Sequence, residues 1–216
     1  MNIVLFGPPG AGKGTQANNL VNEFNLFKIS TGDLLRKEIK GKSSLGIRIK
    51  SIIDKGSLVS DDIIDNLIEK VISNKVYDNR IIFDGYPRNL NQAKSLDSLT
   101  KKYNQMISCV LSLKIDFNII AKRILGRQIC SKCSLIFNEF FYPATEKNHK
   151  CHPKFLQKRS DDNEKTARNR FATYTKETLP VLDYYKKQNL LYEIDGISHI
   201  HEIYKEIRRI IHSLET

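Results

Sequence analysis

The sequence predicts an α/β fold in three layers, with a parallel sheet between two layers of helices. Three observations predict it. Short apolar runs at 3–6, 80–84, 107–113 and 191–195 alternate with segments of helical period. Strands separated by helices pair in parallel through right-handed crossovers, and the helices then cover both faces. Second, the stretch Gly7-Pro8-Pro9-Gly10-Ala11-Gly12-Lys13-Gly14-Thr15 stands between the first run and a helix expected over 16–24, in the order strand, glycine loop, helix. Third, 216 residues at 40% hydrophobic and 27% charged content suit one well-buried core with room for an inserted subdomain, and not a disordered chain.

Taken in order, the elements carry their own reasons. After the run Ile3-Val4-Leu5-Phe6, glycines let the backbone curl so that successive N–H groups point inward at a polyphosphate, and the following helix adds its positive end. Lys13 supplies a mobile cation and Thr15 a hydroxyl for Mg²⁺. The match to the usual pattern is not strict, because Gly14 stands between the lysine and the hydroxyl residue. Ser60-Asp61-Asp62 reads as a helix cap with acids in the first turn, followed by Ile63, Ile64, Leu67, Ile68, Val71 and Ile72 on one face. Phe83-Asp84-Gly85-Tyr86-Pro87-Arg88 ends the next strand. An Asp at the carboxyl end of a strand beside a phosphate loop suits Mg²⁺ held through water, and the Gly85 and Pro87 turn would present Arg88 to the same crevice. Taken alone, the same segment also fits a turn whose Asp caps the next helix. Further helices are expected over 89–99, 117–125, 164–187 and 200–214, with Pro180 kinking or dividing the third. Residues 127–158 break the rhythm. They hold cysteines, the aromatics Phe137, Phe140, Phe141 and Tyr142, two prolines and no helical period, and read as a small β-rich insertion.

Net charge is +11, which fits nucleic acid, a membrane surface or anionic metabolites as partners. No block of five or six like charges appears, against a basic nucleic-acid tail. No apolar stretch approaches a membrane span, and no secretion signal is visible at the N-terminus, so a cytoplasmic protein is expected. Cys109 lies in an apolar run and reads as a core residue. Cys130, Cys133 and Cys151 cluster in the insertion, where metal binding is expected ahead of disulfides. Cys130-Ser131-Lys132-Cys133 has the spacing of a metal-binding knuckle, and Cys151 follows after a hairpin-sized gap.

Six blocks in order carry a resemblance over nearly the whole chain. They are GPPGAGKGT at 7–15, STGDLLR at 30–36, FDGYPRN at 83–89, RILGR at 123–127, RSDDN at 159–163 and the Asp195-Gly196 turn. In these the chain resembles the adenylate kinases of the bacterial type with a long lid. The resemblance implies the Mg²⁺-dependent reaction ATP + AMP ⇌ 2 ADP in a monomer. It implies a P-loop core (1–29, 60–125 and 164–216), a helical AMP-binding arm (30–59) and a small β-rich lid (126–163). The triphosphate would be held by Gly10, Ala11, Gly12, Lys13, Gly14, Thr15, Arg123, Arg127, Ile136, Phe137 and the backbone near Ser198. AMP would be held by Thr31, Arg36, Ser57, Leu58, Val59, Gly85, Tyr86, Pro87, Arg88 and Gln92. Arg159 and Arg170 would reach the phosphates under the closed lid. Lys13, Arg88, Arg123, Arg159 and Arg170 would be the catalytic cations, and Asp84 would hold Mg²⁺ through water.

The chemistry supports these roles independently. Phosphoryl transfer between nucleotides needs no covalent intermediate, only alignment and neutralisation of charge on the moving group. Lys13, Arg36, Arg88, Arg123, Arg127, Arg159 and Arg170 would supply that charge, with arginine favoured because its planar fork binds phosphate oxygens in pairs. Water must be kept out, and a closing lid is the usual means.

Relatives with a metallated lid complete the site with Cys-x-x-Cys or Cys-x-x-Asp. Here Lys154 occupies the last of those positions. Counting back from Arg159 instead places His152 at the fourth site and His149 at the third. Three readings follow: structural zinc held by Cys130, Cys133, Cys151 and either His152 or His149; zinc bound weakly with a water; or a metal-free lid. Two rival functions also stand. A kinase for another nucleoside monophosphate is opposed by Thr31 and Gln92, which sit where the family reads adenine. A zinc-knuckle nucleic-acid binder would leave the phosphate loop unexplained.

Overall fold

The structure is a computed structural model that describes residues 1–41, 44–55 and 57–215. Lys42, Ser43 and Gly56 of the expected arm lie outside the described residues, as does Thr216. The central sheet has five parallel strands: β1 (Asn2–Phe6), β2 (Phe27–Ser30), β3 (Ile81–Asp84), β4 (Ile107–Lys114) and, last in the chain, a strand at Leu191–Asp195. Their spatial order is β2, β3, β1, β4 and then the last strand. β1 therefore lies between β3 and β4: its own connection runs to one side, to β2, while the connection from β3 passes it to reach β4 on the other. Crevices at such a reversal lie outside the carboxyl ends of the strands, where ligands bind. The register aligns Leu5 and Ser30 with Asp84, which brings the glycine loop, Ser30 and Asp84 to one rim.

Alternation along β1 builds the two faces. Val4 and Phe6 join Ile81, Phe83, Ile64, Ile68, Leu96 and Tyr185 on one side. Ile3 and Leu5 join Ile82, Leu111, Ala17, Leu20, Ile207 and Ile211 on the other. A period of two in a strand buried on both sides gives this split. The covering helices include α1 (Lys13–Phe24), α2 (Thr31–Lys40), α3 (Ser44–Asp54), α4 (Asp61–Ile72), α5 (Leu90–Lys102), α6 (Phe117–Leu125), α7 (Glu164–Thr173), α8 (Leu179–Lys186) and α9 (Ile200–Glu215). No helix among the described residues is long and apolar enough to cross a membrane.

Several local expectations needed the fold to correct them. β2 is a four-residue edge strand with a single buried residue, too short and too mixed to show a period. α2 and α3 pack as a pair, and Gly46 is buried between them. A Cβ there would lie 2.5 Å from the Glu38 carbonyl oxygen, so the close approach requires glycine. Ser60 precedes α4 as expected, but its side chain makes no capping hydrogen bond. Asp84 does not cap the helix after it, since Asn89 Oδ1 accepts the Gln92 N–H at 2.9 Å at the start of α5. The helix over 164–187 is divided, as expected, but ahead of Pro180 rather than at it. A wide turn at Tyr174–Thr178 separates α7 from α8, and Pro180 sits in the first turn of α8, where its missing N–H costs nothing.

The insertion forms a second sheet of three short antiparallel strands, β5 (Arg127–Cys130), β6 (Ile136–Asn138) and β7 (Leu156–Gln157), with β5 in the middle. The strand at Leu191–Asp195 is accordingly β8.

Candidate functional site

Gly12 stands in the left-handed region, φ 95°, immediately before α1, which starts at Lys13 rather than at Gln16. That conformation turns the loop so that α1 opens onto the crevice. The Lys13 ammonium donates to the Gly7 carbonyl at 2.6 Å and the Pro8 carbonyl at 3.1 Å, so it lies along the loop. Burial pushes it down to about 8, against the attraction of Asp84. Asp84 stands across the loop, and a Cβ on Gly14 would lie 3.7 Å from its carboxylate.

All seven cations expected from the sequence line one cleft of about 800 Å³ between the strand ends, the α2–α3 pair and the small sheet. Asp33 and Asp84 are the carboxylates among its described lining residues. Arg88 donates through Nε to the Gly85 carbonyl at 2.7 Å, and burial with the nearby Arg170 lowers it to about 10. Burial, with Arg127 and Arg36 close by, brings Arg159 down to about 10 as well. Its Nε is buried with no hydrogen-bond partner, and its nearest acid is Asp33, at 3.8 Å. Asp33 itself pairs with Arg36 at 2.5 Å. Arg123 reaches the Gly196 carbonyl at 2.9 Å and the Ala11 carbonyl at 3.4 Å, so one guanidinium ties the glycine loop to the turn after β8. The Phe141 ring lies 5.5 Å from that guanidinium. Arg170 pairs with Asp161, and Arg127 with Asp162.

Of the other residues singled out from the sequence, Gly10 to Thr15, Ile136, Phe137, Ser198, Ser57, Leu58, Val59, Gly85 and Pro87 line the same cleft. Thr31, Tyr86 and Gln92 do not. They stand buried behind its wall. Thr31 Oγ1 donates to the Gly85 carbonyl at 2.7 Å. The Tyr86 hydroxyl donates to Asp65 at 2.7 Å, and burial raises its pKa further above the usual phenol value. The sequence reading missed four acids and amides that hold this machinery: Asp61, Asn138, Asp161 and Asp162. The last two were visible in RSDDN, between the arginines they serve. Asn138 had no signal, yet its Nδ2 donates to the Arg123 carbonyl at 2.8 Å while its Oδ1 accepts the Phe140 and Phe141 N–H groups at 3.0 and 3.2 Å.

In the small sheet Cys130, Cys133, His149 and Cys151 bring their ligand atoms within 4.8 Å of one another. All three cysteines are free thiols. Burial acts to raise Cys130, but hydrogen bonds led by the Cys133 N–H, 3.5 Å from its sulfur, hold it below the ordinary thiol range. His152 does not join them. Its Nδ1 accepts the Lys154 N–H at 3.1 Å and caps the short turn at Pro153–Phe155. His149 is 7% exposed, packs edge-on against Phe137 at 4.9 Å, and has a buried Nε2 with no hydrogen-bond partner. His149 and not His152 therefore stands with the three thiols, because the residue adjacent to Cys151 is turned into the following cap instead.

A protein-family model described as adenylate kinase matches residues 5–190. The adenylate kinase of Pelagibacter ubique (strain HTCC1062) is 46% identical over 211 residues, covering 98% of this chain and 99% of the relative. That of Chloroherpeton thalassium is 44% identical over 218 residues, with 99% of each chain covered. That of Archaeoglobus fulgidus is 36% identical over the full length of both.

Proposed function

The chain belongs to the adenylate kinase family, and on that premise we propose how its residues divide the work of transferring the terminal phosphoryl group of ATP to AMP. It is a phosphotransferase, and the reaction is reversible, ATP + AMP ⇌ 2 ADP. The observation that carries the assignment of roles is the charge of the cleft, where the seven expected cations and Lys28 face two carboxylates.

The glycine loop from Gly10 to Thr15 cradles the triphosphate with its N–H groups, and Lys13 follows the group as it moves. Arg123, fastened to the Ala11 carbonyl of the glycine loop and to Gly196 with Phe141 beside it, adds its charge to the triphosphate there. Arg36 and Arg88 bind the phosphate of AMP, and Ser57 to Val59 wall in its base with Gln92 behind. Arg159 and Arg170 bridge the two phosphate chains. Their burial makes each charge count for more than it would in water. Asp84 and the Thr15 hydroxyl are oxygen donors at the rim that suit Mg²⁺, and the bound ion would neutralise charge on the phosphate oxygens. The small sheet acts as the lid and the α2–α3 pair as the AMP arm, closing to exclude water.

The cluster in the lid fits zinc. Donors at ordinary Zn–S and Zn–N lengths around a tetrahedral ion lie roughly 3.3–3.8 Å apart. Three thiols and one buried imidazole with an unpartnered nitrogen reach that arrangement with small adjustments. The ion would be structural, fastening three strands that bury few side chains of their own. A reducing compartment such as the cytoplasm suits four free thiols, and a monomer suffices because one chain carries every group named. The rival reading as a nucleic-acid binder is not favoured, since it leaves the buried cations of the cleft without a role.

The test is turnover with ATP and AMP together. ADP should form rapidly in the presence of both nucleotides and Mg²⁺, with little ATP hydrolysis when AMP is left out. Hydrolysis as fast as transfer would oppose a closing, water-excluding cleft.

A further inference from the structure

We propose that Asp61 is a positioning residue that locks the Gln92 amide in one of its two orientations, and that this lock makes the acceptor site select a 6-amino purine over a 6-oxo purine. The proposal rests on the reading of Gln92 as the side chain that meets the base of AMP.

Gln92 is 2% exposed, in the first turn of α5. A glutamine amide has nearly the same shape after a half turn, but the turn exchanges a carbonyl acceptor for an NH₂ donor. Here each end of the amide meets a partner that works in one direction only. Nε2 donates to Asp61 Oδ1 at 2.7 Å. Oε1 accepts the Arg88 N–H at 2.8 Å. A carboxylate accepts and a backbone N–H donates, so the turned amide would lose both bonds and set like against like at both ends. Asp61 is itself held, because Asn89 Nδ2 donates to its two oxygens at 3.0 and 3.3 Å. Asn89 in turn caps α5 through the Gln92 N–H.

With these bonds made, the amide keeps one N–H and one lone pair for a ligand, in a fixed order. The pairing edge of adenine offers an amino donor at N6 beside an acceptor at N1. A 6-oxo purine offers an acceptor at O6 beside a donor at N1. An amide free to turn would suit either base, whereas a locked one complements the first and opposes the second. Opposed or unpaired buried polar groups discriminate strongly. The oxygens of Asp61 are taken by Asn89 and Gln92, so its contribution is carried through Gln92 rather than through contact with the base.

The test is steady-state kinetics at saturating ATP with AMP or inosine monophosphate as acceptor, in the parent protein and in Asp61→Asn, Asp61→Ser and Gln92→Ala. An asparagine presents a donor as well as an acceptor, so Asp61→Asn removes one of the two one-way partners and leaves the Arg88 N–H alone to oppose the turned amide. The ratio of kcat/KM for AMP over inosine monophosphate should fall by about tenfold or more, mainly through gain on the 6-oxo acceptor, with the KM for ATP unchanged. A merely structural role would lower both acceptors in parallel, and an unchanged ratio overturns the lock. Asp61→Ser removes the one-way acceptor by another route and carries the same expectation if Asp61→Asn does not fold, as judged by melting. Gln92→Ala should cut kcat/KM for AMP by about tenfold or more. If it leaves AMP untouched, the reading of Gln92 fails and the proposal with it. If it cuts AMP while the ratio in Asp61→Asn holds, the lock alone is overturned.

Discussion

The Arg127 guanidinium grips the Asp162 carboxylate with two of its nitrogens, Nε to Oδ2 at 2.8 Å and its neighbour to Oδ1, with the Asp162 side chain fully buried. Arg127 opens β5 where the chain enters the small sheet, and Asp162 lies just before α7 where it leaves. One ion pair therefore joins the two crossings at the base of the small sheet. Asp161, one residue earlier, pairs with Arg170 on α7. Two adjacent acids thus orient two arginines that line the cleft without entering it themselves.

Asp162→Ala should cost on the order of 3 kcal/mol of stability, because it leaves a largely buried guanidinium without its partner. Thermal melting checks the stability. The KM for ATP should rise as well, since Arg127 would no longer be held at the lid base. Unchanged melting in the purified variant would show that water satisfies Arg127 in place of Asp162.

Lys13→Ala should lower kcat by on the order of 10²-fold or more while the circular dichroism and melting curve stay close to those of the parent. Its bonds in the fold go to two loop carbonyls at the cleft, not to the core. Near-normal turnover in a folded Lys13→Ala protein would sink the role assigned to the loop.

The pH profile should carry the mark of Lys13 as well. Burial lowers its pKa to about 8 from the ordinary lysine value of 10.5, so the ammonium is charged below that pH and neutral above it. Phosphate binding needs the charged form. Log kcat/KM for ATP, which reports the free enzyme, should therefore bend downward near pH 8 rather than above 10. The bend should vanish in Lys13→Arg if that variant retains measurable activity. A profile that stays flat to pH 10 in the parent would contradict the lowered pKa of Lys13.

Purified protein should hold about one zinc per chain, and His149→Ala should release it while His152→Ala should not. His149 brings a buried, unpartnered nitrogen to the three thiols, whereas His152 is occupied in capping a turn. Removing the metal with a chelator should speed hydrogen exchange in β5, β6 and β7 and leave the five-stranded sheet protected. Retention of zinc by His149→Ala with loss by His152→Ala would reverse the assignment.

Much of this was legible in the chain because it is local. The apolar runs of β1, β3 and β4 are nearly continuous, since each strand is covered on both faces, and the glycine loop is a contiguous stretch with its strand and helix beside it. The seven cations could be named because each sits in or beside a short recognisable block. β2 escaped, and α2 and α3 were expected only as a helical arm implied by the resemblance, because they are short, mixed in composition, and stabilised by what they pack against, as Gly46 against Glu38 shows.

By itself, then, the sequence determined the fold class, the glycine loop, the set of cations and the three clustered thiols. These follow from side-chain chemistry and from spacing along one segment. Only the tertiary structure decided that His149 rather than His152 faces the thiols, that Asp161 and Asp162 hold Arg170 and Arg127, and that Asp61 meets Gln92 from another helix. Each of those depends on which way a side chain turns and on what a distant segment brings to meet it. Hydrogen bonds and metal sites need partners placed within a few tenths of an ångström, and that placement comes from the packing of the whole chain rather than from spacing along any one segment.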